Sequence, residues 1–233
     1  MRLWTLRAIF FLLGGVVLTS TVAPAETDVA ASLYGAFTGT TNGNGTVQSP
    51  SNAAGVLFEM RHISNPLVGY EATYSYNRAN QVYTNTLTPP CPVGAIQPCG
   101  PETNTTVVSA NAHEITGDWM ASVHIANFRP FALAGGGLLF GVPSSASATT
   151  NTTVCGTVNP LCVATSSASS TSTQTKGVFV YGAGLDWGLI AHLGLRFQYR
   201  GNLYKAPNLV KLYTSTGAFT HTAEPMIGAY FRF

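Results

Sequence analysis

Charged side chains are few in this chain, and their spacing is regular. Glu59 and Arg61 stand two residues apart, while Glu114 and Asp118, like Arg196 and Arg200, stand four apart. Glu71, Asp186 and Arg232 alternate in the same way with apolar or aromatic neighbours. Even spacing places side chains on one face of a β-strand. Five carboxylates and four guanidiniums so arranged can pair with each other, or some of them can act as acids and bases. Nucleophilic catalysis needs a nucleophile beside a base that a third group orients. His62 and Ser64 are close enough in sequence but belong to a predicted short turn, where such a pair caps the chain. His113-Glu114 opens like a zinc-protease helix motif, yet Gly117 stands where the second histidine is required. The run Gly135–Gly137 lacks the strand-turn-helix setting of a nucleotide fingerprint and reads as close packing. No catalytic residue, metal ligand or cofactor is expected, and the chemistry left is pairing.

The four cysteines form two close pairs, Cys91 with Cys99 and Cys155 with Cys162. Neither pair has zinc-knuckle spacing, and an even count in an exported chain favours two local disulfides. Export is expected from the N-terminus. Arg2 and Arg7 flank the apolar run Ala8–Leu18, and Ala23-Pro-Ala25 supplies a small-residue cleavage site before Glu26. That is the layout of a secretory signal over residues 1–25, leaving residues 26–233 as one domain. The apolar run is about half the ~20 residues a membrane helix needs.

With the two signal arginines gone, the excess of Lys+Arg (11) over Asp+Glu (9) disappears, and nothing recruits nucleic acid. Charged residues make up 9% of the chain, against about 25% in soluble domains.

The elements that must position the charges are strands. The alternation predicts strands near residues 29–40, 54–62, 67–77, 107–123, 130–142, 177–187, 192–203 and 224–233. In the second, Val56, Phe58 and Met60 oppose Leu57, Glu59 and Arg61. In the sixth, Phe179, Tyr181, Ala183, Leu185 and Trp187 oppose Gly182, Gly184 and Asp186. The stretch 130–142 is so rich in Gly, Ala and Leu that its facing is ambiguous. Long polar links at 41–50, 78–106, 143–176 and 205–220 alternate with short ones at 63–66, 124–129 and 188–191. Eight antiparallel strands with that alternation form the outer-membrane barrel pattern. A soluble barrel of lipocalin type has as many strands with its apolar face inward, and periodicity alone does not say which face is inside.

The ending Gly228-Ala-Tyr-Phe231-Arg-Phe233 resembles the C-terminal signal of bacterial outer-membrane barrels, with aromatic residues last and third from last. Tyr181-Gly-Ala-Gly-Leu-Asp-Trp187 and His192–Arg200 are similar to strands six and seven of small OmpA/OmpX-like barrels. The resemblance spans residues 26–233 and lacks a peptidoglycan-binding domain. It implies an eight-stranded, up-and-down transmembrane β-barrel in the outer membrane, reached through the periplasm. It also implies that Gly228, Phe231 and Phe233 are read by the barrel assembly machinery. Lipid and lipopolysaccharide would surround a monomer, with Trp119, Trp187, Tyr74, Tyr76, Tyr199 and Phe233 as interfacial anchors.

With the aromatic faces on lipid, Glu59, Arg61, Glu71, Glu114, Asp118, Asp186, Arg196, Arg200 and Arg232 turn into the lumen. Unpaired buried charge is costly, so the expectation is a plugged lumen held by ion pairs. The functional reading is a structural or surface-interaction protein with stapled loops; a narrow channel for ions or small solutes is the alternative.

Overall fold

The computed structural model describes residues 25–65, 67–88, 100–155 and 162–233. The expected signal, residues 1–25, lies almost wholly outside them, as do Cys91 and Cys99. Among the described residues twelve strands form in chain order: β1 (Glu26–Thr38), β2 (Thr41–Gly43), β3 (Thr46–Pro50), β4 (Ala53–Asn65), β5 (Val68–Leu87) and β6 (Glu102–Ser122). They continue with β7 (Phe128–Pro143), β8 (Ser147–Cys155), β9 (Cys162–Ser170), β10 (Gln174–Ile190), β11 (Leu193–Lys205) and β12 (Phe219–Arg232).

Eight of these close an antiparallel barrel in the order β1-β4-β5-β6-β7-β10-β11-β12. Closure is made where β12 returns to β1, with Leu33 opposite Ile227 and Asp28 opposite Arg232. No barrel strand keeps a free edge there, which is the condition for a sheet to stand in hydrocarbon.

Which face is inside is decided by burial. Leu33 is 65% exposed, Met60 60% and Ile115 55%, whereas Arg61, Arg196 and Arg200 are each at 0%. A soluble barrel would bury the first set and expose the second. This one is inverted, so its outer surface suits lipid. Tyr70, Trp119, Phe128 and Trp187 lie outward near the short turns, Tyr70 opposite Trp119 and Phe128 opposite Trp187. Tyr74, Tyr181 and Tyr199 lie outward nearer the loop end, giving the two aromatic girdles of a membrane barrel. In β7 the facing resolves with Phe131, Leu133 and Leu139 inward and Ala132, Ala134 and Leu138 outward.

Three of the four stretches expected as long loops contain regular structure. β5 has 20 residues and β6 has 21. About 9–11 tilted residues cross a bilayer, so both strands rise well above it. The β2–β3 hairpin adds to β5, and β8–β9 adds to β6, giving a projecting sheet in the order β2-β3-β5-β6-β8-β9. Asn44 and Gly45 turn the first hairpin with φ of 51° and 73°, as a two-residue type I′ turn requires. Residues 78–87 and 102–106 hid their strands because the inward face there is largely polar, Asn104 and Thr106 being buried beside Tyr83, which weakens the apolar half of the alternation. The cross-link Cys155–Cys162 joins the paired ends of β8 and β9.

Candidate functional site

The lumen is filled by side chains in layers. In the layer nearer the short turns, Arg196 on β11 points inward from between lipid-facing Leu195 and Phe197. It donates from Nε to Asp186 Oδ1 (2.7 Å), from Nη1 to Glu59 Oε2 (3.1 Å) and from Nη2 to Asp28 Oδ1 (2.9 Å). Arg61 on β4 is bound by Glu71 and reaches Asp186 Oδ2 at 3.2 Å. Its guanidinium lies 4.2 Å from the centroid of Phe131. Asp186 thus bridges both arginines, and the set joins β1, β4, β5, β10 and β11 across the barrel. Charge-assisted bonds of this kind are strong only while every partner stays in place.

A second layer lies toward the loops. Arg200 Nη2 donates to Glu114 Oε1 (3.2 Å) and Thr116 Oγ1 (3.1 Å), and Nη1 to Thr73 Oγ1 (3.3 Å). Asp118 Oδ2 stands 3.8 Å from the same guanidinium and accepts from Thr116 at 2.9 Å. Asn202 donates to both oxygens of Glu114 at 3.3 and 3.1 Å. Beside these layers Leu133 and Val180 belong to an apolar cluster with Met120 and Phe131, so the plug is partly hydrophobic.

Eight of the nine charged residues singled out from the sequence lie in these two layers. Arg232 does not. It sits at the turn-end rim, its side chain 19% exposed, with Nε 3.5 Å from Glu26 Oε2; Arg129 binds the same carboxylate. Arg232 stands opposite Asp28 across the β1–β12 pair, but Arg196 takes the Asp28 carboxylate, and Arg232 turns to Glu26 at the rim. Sequence reading missed Asp28, Glu224 and Arg129. Asp28 precedes the weak alternation of the first strand, and Arg129 falls in a stretch expected to be a link. Glu224 was legible, being two residues from inward Met226.

The top of the barrel is closed by the segment between β11 and β12, expected as an open loop. Leu209, Val210 and Tyr213 turn into the mouth and cluster with Tyr83, Val108 and Ala110. Tyr83 donates its hydroxyl to Pro207 O (2.9 Å) and accepts from Leu209 N (3.0 Å), while Tyr213 shares a hydrogen bond with Thr106 at 2.9 Å. Burial pushes both phenols above the ordinary tyrosine range, so each keeps its proton. Backbone bonds from Ser172 N to Leu209 O and from Lys211 N to Ser170 O tie this lid to the end of β9 and the residues just after it.

No family model matches the chain, and no curated protein matches it. Solved structures do. Outer membrane protein OprG from Pseudomonas aeruginosa superposes with a TM-score of 0.50 at 9% identity, over 90% of this chain and 96% of that one. The fold is that of a small outer-membrane β-barrel. Neisserial surface protein A gives 0.48 at 14% identity, over 91% of this chain and 100% of that one. Ail of Yersinia pestis gives 0.45 at 11%, with 91% and 100% covered.

In the barrel the residues of each catalytic motif are kept apart. His62 faces outward and shares a 2.9 Å hydrogen bond with Thr27 rather than with Ser64. His113 also faces outward, 2.9 Å from the Tyr74 hydroxyl, while Glu114 points into the lumen. Gly135 and Gly137 turn inward on β7 where a Cβ would meet Asp118 Oδ1 at 2.2 Å and Ile115 O at 1.9 Å, so they serve close strand packing. Among the described residues no group of three or more His, Cys, Asp or Glu side chains is arranged to hold a metal.

Proposed function

We propose that this chain is a non-enzymatic outer-membrane barrel with a sealed lumen, acting as a structural and surface-interaction protein. The observation that carries this reading is the double closure: two arginine layers fill the lumen, and the lid roofs it. The projecting sheet is the part offered outward. Its edge strand β9, Cys162–Ser170, carries no charged residue and no proline, and nearly all of it is exposed. Natural edges are usually blunted by such residues, so an unblunted one is suited to pair with an extended segment of another protein. The Cys155–Cys162 staple fixes the hairpin that presents it. In this reading the chain is exported to the periplasm, and the barrel assembly machinery recognises the Gly228, Phe231 and Phe233 ending. Lipid and lipopolysaccharide then surround a monomer.

The second reading is a narrow channel. A cavity of about 50 Å³ above the arginine layers and a recess of about 350 Å³ at the turn end leave those layers, the packing around them and the lid as the barrier. Planar bilayer recording of the folded protein separates the two. Conductance at the level of the bare membrane is expected, and sustained discrete openings would overturn the sealed barrel.

A further inference from the structure

The charges in the lumen do not balance. Asp28, Glu59, Glu71, Glu114, Asp118, Asp186 and Glu224 are buried within it, against Arg61, Arg196 and Arg200; Arg129 is occupied at the rim by Glu26. The toward-loop layer is the starker case, with one arginine for Glu114, Asp118 and Glu224. Glu224 is 3% exposed and stands directly across the strand pair from Arg200. Arg200 nevertheless turns away from it to Glu114, Thr73 and Thr116. Among the described residues Glu224 has no ion pair and its Oε2 no hydrogen bond, and the same holds for Oδ1 of Asn202, a residue 1% exposed. Both residues line the cavity above Arg200, with Glu114, Ser75 and Thr222 around them.

We propose that this cavity is a binding site for a hard cation of calcium's kind, held between Glu114 and Glu224. The donors offered are all oxygen: two carboxylates, the Asn202 amide and the hydroxyls of Ser75 and Thr222. Oxygen sets of mixed charge and flexible geometry suit Ca²⁺, whereas Mg²⁺ demands a tight octahedron and soft metals want sulfur or nitrogen. Two positive charges also neutralise the excess that three carboxylates and Arg200 leave. The ion enters from the loop side, beneath Pro207 and Leu209, which line the roof of the cavity. The site is independent of whether the barrel conducts, so a channel recording that overturned the sealed reading would leave it standing.

The test is thermal unfolding of the protein folded in detergent micelles, in EDTA and then in millimolar CaCl₂ at constant ionic strength. Terbium luminescence excited through tyrosine reads occupancy directly, Tyr204 being part of the cavity wall. Wild type should gain roughly 3–5 °C in Tm at ten times the Kd. Glu224→Gln should lose both that gain and the terbium signal, and in EDTA should unfold above wild type, one uncompensated carboxylate having been removed. A second variant, Asn202→Asp, adds charge to the donor set and should tighten terbium binding. An equal Ca²⁺ gain in wild type and Glu224→Gln would overturn the proposal. So would a gain with NaCl or KCl in place of Ca²⁺, or no gain with any cation while Glu224→Gln is stabilised, which would assign Glu224 as a protonated acid.

Discussion

Replacing Arg196 by methionine tests the lumen network most directly. The change keeps an unbranched side chain of similar length but removes the guanidinium that binds Asp186, Glu59 and Asp28 at 2.7–3.1 Å. All four groups are at most 4% exposed, so the three carboxylates lose a partner that water cannot replace. Asp186 retains Arg61, but Glu59 keeps only a weak 3.5 Å contact from Ser32. Breaking one side of a buried pair costs about 3–5 kcal/mol. With an m-value of about 2 kcal/mol per molar urea, the unfolding midpoint should fall by roughly 2 M. The assay is urea unfolding in lipid vesicles followed by fluorescence of Trp119 and Trp187, which face outward at 47% and 40% exposure. Arg232→Met is the internal comparison. Its side chain is 19% exposed at the rim, so it should cost under about 1 kcal/mol. If both variants shift the midpoint equally, or Arg196→Met leaves it in place, the network does not hold the barrel.

Gly137→Ala should block folding or lower the heat-modifiable fraction on gels sharply, because its Cβ would lie 1.9 Å from the Ile115 carbonyl; Gly117→Ala, with nothing within 4 Å, should fold like wild type. Deleting Phe233, which is 72% exposed and packs edge-on against Phe231, should reduce assembly in cells far more than folding in detergent. Equal loss in both measurements would remove the assembly role assigned to that ending.

The strand count, the alternation and the short turns could be read from the sequence because the bilayer imposes them residue by residue. Wherever a strand meets lipid on one side and packed polar groups on the other, side chains alternate with period two, as from Val56 to Arg61. That local rule also exposed eight of the lumen's charged residues. It failed where both faces carry mostly polar residues. In the upper parts of β5 and β6 even the buried face carries polar residues such as Thr106 around Tyr83, so Gln81–Thr86 reads as a loop, and β8–β9 reads as low complexity. Period two also carries no sign. That Ile227 faces outward and Arg61 and Arg196 face in was implied by the resemblance to outer-membrane barrels, not by the alternation, and burial in the closed barrel bears it out. Tertiary structure alone decided the partners. Asp28 and Arg196 are 168 residues apart, and the barrel's stagger brings them within 2.9 Å. The same stagger leaves Arg232 at the rim and leaves Glu224 beside an arginine that turns elsewhere. Local spacing assigns a side chain to a face, but its height in the lumen depends on the register of every strand between it and its partner.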